Sequence, residues 1–330
     1  MTSLIDEKIL VTGPAGQIAL PLCEHLASQN EVWGIARFSA PGSREQVESL
    51  GVTTRRIDLA DFDYTDLPDD FTYVLHLAAF IGPGIDYDYA IRVNAEATGA
   101  LLEHCRRARA ALVMSTASVY KPADDPMHRY CETDPLGDSM STYSPTYAIS
   151  KIAEEAVARY CARSLRLPIT IARMNAAYSA NGGLPAYHLD WMIGGQPVVV
   201  RNDPCPYSPI HQDDINAQVG ALLGAASVPA TIVNWGGDDV VGPHDWCAYF
   251  EELTGIPAQI VVQEVPGSQR GVAVDVSART AITGPCAVSF ADGFRRLVAE
   301  RYPDGIQPGH PKSGQSERLL NATATAPDGQ

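Results

Sequence analysis

The sequence predicts an α/β fold, a doubly wound parallel sheet carrying a smaller C-terminal substrate-binding lobe. Two observations carry that expectation. Residues 8–19, Lys-Ile-Leu-Val-Thr-Gly-Pro-Ala-Gly-Gln-Ile-Ala, pass from a short apolar strand through a glycine turn into an amphipathic stretch reaching about Gln29. Apolar, β-branched stretches then alternate with helical ones (44–50, 89–109) through the first half, which is the pattern of βαβ units with parallel strands. Right-handed crossovers wind such units onto both faces of one sheet.

Taken in order, the first turn reads Gly13-x-x-Gly16-x-x-Ala19. Gly13 permits the tight turn, Gly16 lets the backbone approach a pyrophosphate, and the small Ala19 lets the helix pack close to the strand, its amino terminus facing the anion. The second strand, 31–37, ends in Gly-Ile-Ala-Arg. A carboxylate there would suit the ribose of NAD, and a cation suits the 2′-phosphate of NADP. Ala36 and Arg37 with no acid therefore favour NADP(H) over NAD(H), unless Arg37 only stacks on adenine. Residues 52–58, 73–79 and 110–117 are the third to fifth strands. Ligands bind outside the carboxyl ends of such strands, which places Thr116 where chemistry is expected, although a threonine there also serves as a plain strand-end cap.

Tyr147 and Lys151 follow, four residues apart in the helix-forming stretch 144–151. That spacing puts phenol and ammonium on one helix face. A lysine beside a tyrosine favours the phenolate, so the pair reads as a general acid/base. Of four lysines (8, 121, 151 and 312), Lys151 alone has a tyrosine four residues before it.

Together these stretches resemble the extended short-chain dehydrogenase/reductase family, in its NAD(P)-dependent epimerase/dehydratase-like branch. The resemblance is carried by residues 11–19, His-Leu-Ala-Ala at 76–79, Asn94, Ser-Thr-Ala-Ser-Val-Tyr at 115–120 and Tyr147-x-x-x-Lys151, then Ile210 to Asp214, Asn234 to Gly237 and the helix at 290–296. It spans residues 8–302 and implies a Rossmann-type nucleotide domain. It also implies Tyr147 as proton donor or acceptor, Lys151 lowering the phenol's pKa while holding the nicotinamide ribose, and Thr116 binding the reacting oxygen. Gly13, Gly16, Gln17, Ile18, Arg37, Asp58, Leu59, Ala78, Ala79 and Met174 would contact the cofactor. Asn94 would support the site, and His76 is expected to be a buried, satisfied strand residue. The resemblance further implies a homodimer through the helices around 89–109 and 144–166.

The substrate half departs from the family's usual pattern. Most members act on nucleotide-linked sugars, which need cations for a diphosphate, yet between Ala176 and Val265 Arg201 is the only Lys or Arg. Ala176 stands where such enzymes place an Asn, with Asn175 one residue early, and Tyr207 stands in the stretch where they often carry an Arg. Ala117-Ser118 replaces the Asp-Glu pair of the dehydratases. Phe80, Ser118, Tyr143, Asn175, Tyr178, Trp191 and Tyr207 are the candidate substrate contacts, and their aromatic character suits an uncharged alcohol or ketone. The sequence-based expectation is thus alcohol/ketone hydride transfer on a small, uncharged, non-nucleotide substrate. A nucleotide-sugar epimerase acting through a transient ketone is one alternative, and a cofactor-binding regulatory protein without turnover is another.

Composition narrows the setting. Hydrophobic content of 45% and charged content of 19% describe an ordinary globular chain. A net charge of −15 disfavours nucleic acid and other polyanions. There is no apolar run of the roughly 18 residues a membrane helix needs, and no leader is expected from the first residues. Seven dispersed cysteines without a C-x-x-C pair point away from a zinc site or disulfide framework, so a cytoplasmic setting is expected. Residues 1–175 with about 203–240 would form the nucleotide domain, 176–202 and 241–302 the smaller lobe, and 303–330 a mobile tail. The long loop 121–143 is expected to act as a lid or assembly element.

Overall fold

The computed structural model describes residues 4–137, 139–141 and 143–312. Its centre is a seven-stranded parallel sheet of β1 (Lys8–Thr12), β2 (Glu31–Ala36), β3 (Thr53–Arg56), β4 (Tyr73–His76), β5 (Ala110–Thr116), β6 (Ile169–Met174) and β10 (Thr231–Trp235), in the order β10-β6-β5-β4-β1-β2-β3, while the short strands β7 (Ala177–Tyr178), β8 (Val198–Val200) and β9 (Ile210–His211) lie outside it. The order reverses between β1 and β4, which opens the crevice where such sheets bind nucleotides. There a Cβ on Gly13, whose φ is +66°, would lie 3.2 Å from the Ala78 backbone, so only glycine lets the two strand ends meet.

Period-two alternation builds the layers. Ile9 and Val11 of β1 point into one core with Leu22 and Leu26 of α1 (Ala19–Ala27) and Val219 and Leu222 of α7 (Gln212–Gly224). Leu10 points into the other, with Leu101 of α4 (Ala97–His104) and Ala158 of α5 (Tyr147–Ser164). Burying each of these leucines contributes about 1.5–3 kcal/mol.

A third core makes the lobe, with Trp246 at its centre, between α6 (Leu184–Ile193), α8 (Pro243–Thr254) and α10 (Phe290–Arg301). Trp246 donates to His188 Nδ1 at 3.0 Å. Arg301 grips Asp190 through two bonds of 2.7 and 2.6 Å.

Several expected boundaries move. β3 stops at Arg56 because Asp58 caps the turn Leu59–Asp61 by accepting from Ala60 N at 3.0 Å. β4 stops at His76 because the amides of Leu77 and Ala78 turn to the Thr12 hydroxyl, at 3.0 and 2.9 Å. The expected long helix over 89–109 is α3 (Tyr87–Ile91), a π-helical turn (Arg92–Glu96) and α4. The loop expected as a lid is stapled as far as Gly137: Lys121 N binds Pro135 O at 2.9 Å, Gly137 N binds Val119 O at 3.0 Å, and Tyr130 pairs with Ala273 and Asp275. Asp138 and Thr142 lie outside the described residues, as does the expected tail beyond Lys312. Residues 303–312 return to the lobe, Gly309 N donating to Ile193 O at 2.7 Å.

One buried ion pair joins the layers. Arg173 of β6 makes a fork on Glu155 of α5 at 2.8 and 2.7 Å, and Ser115 of β5 donates to the same carboxylate at 2.6 Å. Both charges are at most 2% exposed. Removing one partner strands the other in the interior, so Glu155→Gln should lower the unfolding free energy by about 3–5 kcal/mol, read from urea titration. A loss below about 1 kcal/mol, the surface-pair range, would show that the pair does not clamp the helix.

Candidate active site

β5 is buried along its whole length and delivers Thr116 to the carboxyl edge of the sheet. The Thr116 hydroxyl accepts from Ser118 N at 3.2 Å and lies close enough to the Tyr147 phenol to lower its pKa. It therefore caps the strand end and reaches the site at once. Ser115, one residue earlier, is spent on Glu155.

Tyr147 is the first residue of α5. Ser150 holds that turn by donating to Tyr147 O at 3.0 Å, and Asn94 Nδ2 donates to Ser150 Oγ at 2.9 Å. Asn94 sits in the π-helical turn and also exchanges two bonds with the Phe80 backbone, at 2.6 and 3.1 Å. Such local widenings of a helix recur at functional sites. Here the turn ties the end of β4 to the start of α5.

Lys151 is 1% exposed. Its ammonium donates to Met114 O at 2.8 Å and forms an ion pair with Glu154, which is fully buried. Burial first, and then the charge of Glu154, push the Tyr147 phenol above its usual range, while the Thr116 hydroxyl pulls it back. The phenol is thus raised where the sequence predicts a lowering by Lys151, and a carboxylate that the Tyr-x-x-x-Lys spacing does not reveal adds to the rise. Burial also raises Glu154 itself, to about 7, against the pull of Lys151. His76 is buried as expected, bonded to Thr12 and Thr98 at 3.0 and 2.8 Å, and burial lowers it to about 3.

The glycine turn fits a dinucleotide diphosphate. Gly16 N closes the turn on Gly13 O at 2.9 Å, a Cβ on Gly16 would meet that oxygen at 3.1 Å, and no side chain caps α1 at Ile18. The helix amides are therefore left for an anion. The Gln17 side chain donates to Ala177 O at 3.0 Å, so any part it has at the turn falls to its backbone. Asp58 spends one carboxylate oxygen on the cap beside Leu59. Ala78 and Ala79 flank the crevice, Met174 ends β6 in register with Thr116, and Arg37 is exposed beyond β2.

Of the expected substrate contacts, three belong to the framework. Asn175 donates to Val272 O at 2.7 Å and accepts from Ala176 N and Ser208 N at 2.8 and 3.0 Å, which uses up its carbonyl. Tyr178, 2% exposed, packs on Phe294 and His211. Trp191, 6% exposed, stacks on His188 inside the lobe. Tyr143 remains exposed and lies within electrostatic reach of both Tyr147 and Arg201. Arg201 donates to the Tyr207 hydroxyl at 2.9 Å. Phe80 and Ser118 are half-buried beside the strand ends.

This geometry agrees with comparisons to known proteins. Residues 9–196 match the model of the NAD-dependent epimerase/dehydratase family. The chain belongs to that family. It is 25% identical over 317 residues, 88% of this chain and 97% of the other, to an uncharacterised UDP-glucose epimerase of Bacillus subtilis. It resembles the structure of UDP-glucuronic acid 4-epimerase from Bacillus cereus in complex with UDP-glucuronic acid and NAD, with a TM-score of 0.76 and 25% identity over 88% of this chain and 97% of that one. UDP-N-acetylglucosamine 4-epimerase from Methanobrevibacter ruminantium shares the fold at 19% identity and a TM-score of 0.77, covering 91% of this chain and 99% of that one. The chain is accordingly an enzyme of an NAD-dependent family, and among the described residues no helix is long and apolar enough to cross a membrane.

Tyr147→Phe should cut turnover by about 10²–10⁴-fold, the range for a general acid/base, with cofactor affinity little changed. Single-turnover kinetics with a parallel binding titration checks this, and near-normal turnover would remove Tyr147 from the mechanism.

Proposed function

We propose that this enzyme epimerises a nucleoside-diphosphate sugar through a transient ketone. The observation that carries this reading is Arg201. The sequence shows few cations for a diphosphate, but folding brings the Arg201 guanidinium onto Tyr207, the stretch where related enzymes carry an arginine. The kinship to epimerases over nearly the whole chain supports the same substrate class. It also outweighs the expectation of a small uncharged substrate, which leaned on the scarcity of cations and on the aromatic residues Phe80, Tyr143, Tyr178, Trp191 and Tyr207.

A bound nicotinamide cofactor would supply the hydride acceptor and return the hydride. Gly13, Gly16 and the amino end of α1 would hold its diphosphate, and Lys151 its ribose. Tyr147 would take the proton from the carbinol hydroxyl as oxidation proceeds and give it back to the ketone oxygen on reduction. Thr116 would hold that oxygen as charge develops on it. Epimerisation also requires the ketone to present its other face between the two transfers, so the pocket must grip the nucleotide more firmly than the sugar.

NADP(H) is favoured over NAD(H) by the residues beyond β2. Ala36 pairs in register with Arg56 of β3, and Arg37 follows, so two arginines and no carboxylate of Ala36 or Arg37 stand at the carboxyl end of β2. Structures of relatives from Bacillus cereus and Thermus thermophilus are complexes with NAD, so turnover or affinity with each cofactor decides the point; a clear preference for NAD sinks the assignment.

Alcohol/ketone oxidoreduction on an uncharged substrate is the second reading, favoured by Ala176 and Tyr207 where nucleotide-sugar enzymes place polar anchors. Incubation with UDP-sugars separates the two. Epimer formation without net change in cofactor absorbance supports the first; no UDP-sugar binding, with stoichiometric cofactor turnover on neutral ketones, supports the second.

A further inference from the structure

Two adjacent glutamates on α5 meet different fates. Glu155 is matched by Arg173 and Ser115. Glu154 is equally buried, yet neither of its carboxylate oxygens completes a hydrogen bond of normal geometry among the described residues. Its neighbours are the Lys151 ammonium and His76 Nε2, the latter at 3.6 Å.

The protons around His76 can be placed from its partners. Thr98 Oγ1 donates to Asn94 O at 2.6 Å, so it accepts from His76 Nε2. Thr12 Oγ1 already accepts from Leu77 N and Ala78 N, so its own proton goes to His76 Nδ1. His76 is therefore the neutral Nε2–H tautomer, with no second proton to offer. On α5 itself, Tyr147 and Glu155 add no positive charge, and from β6 Arg173 is committed to Glu155. Asn94, Thr98 and the Met114 carbonyl are neutral. Among these facing groups, Lys151 alone can compensate a charged Glu154.

We propose that Glu154 is a positioning residue for the catalytic pair: as a carboxylate it draws the Lys151 ammonium away from Tyr147 and the ribose position, and as an acid it releases it. The proposal rests on the reading of Tyr147 and Lys151 as the working pair. Burial raises Glu154 to about 7, which brings the switch into the neutral range, and its charge raises the Tyr147 phenol.

The test measures nicotinamide-cofactor affinity by calorimetry from pH 5.5 to 8.5, without substrate. The wild type should lose at least about fivefold in affinity on passing upward through pH 7, while Glu154→Gln stays flat at the tight-binding level. A thermodynamic companion follows from the sign of the shift. A raised folded-state pKa contributes stability below the unfolded value and loses it as pH rises through about 7. Glu154→Gln should therefore gain stability relative to wild type over that interval. Glu154→Met provides the same readouts should the glutamine variant fail to fold. A wild type with flat affinity overturns the proposal without any variant, and so does an inflection retained in both variants. The underlying reading fails separately, by Tyr147→Phe keeping its turnover.

Discussion

The buried fork between Arg173 and Glu155 is the contact on which the site depends. It joins β6 to α5, accepts Ser115 from β5, and continues through Arg173 to the Tyr120 hydroxyl and the Glu132 carbonyl, at 3.0 and 3.1 Å. Tyr120 passes its own proton to Asn234 of β10 at 2.6 Å. Sheet, α5 and the loop beyond β5 thus share one guanidinium. Stranding a buried charge is costly, so any slip of α5 along the sheet is penalised. Tyr147, Lys151 and Glu154 ride on the same helix and inherit its placement.

That rigidity leaves the electrostatics of the site unevenly balanced. A satisfied pair and an unsatisfied carboxylate lie side by side on one helix turn. The first holds the helix, and the second pairs with the ammonium that the proposed chemistry uses. Burial intensifies both effects, since charges removed from water interact more strongly and are costlier to leave alone. The Tyr147 phenol is raised first by burial and then by the charge of Glu154.

The substrate side shows how folding changes the value of a residue. Arg201 is one cation in a long stretch poor in them, but it comes to rest on Tyr207, within reach of Tyr143, which itself precedes the catalytic helix. Conversely Asn175, Tyr178 and Trp191 carry the residue types of a pocket and serve the framework. Aromatic side chains at a lobe boundary fill a core as readily as they line a cleft, and only their neighbours distinguish the two.

The parallel sheet, the glycine turn, Thr116 and the Tyr147–Lys151 pair were legible in the chain by itself. Each depends on local rules: alternation along a strand, glycine where two backbones meet, and a four-residue spacing on a helix. Glu154 has the same helical spacing from Tyr147 as any residue seven positions on, and nothing local says that its carboxylate is buried with the Lys151 ammonium as its counter-charge. The break at His76, the π-helical turn around Asn94 and the docking of residues 303–312 likewise depend on partners far away in sequence. Hydrogen-bond satisfaction and charge compensation are properties of the packed interior, so tertiary structure alone decided them.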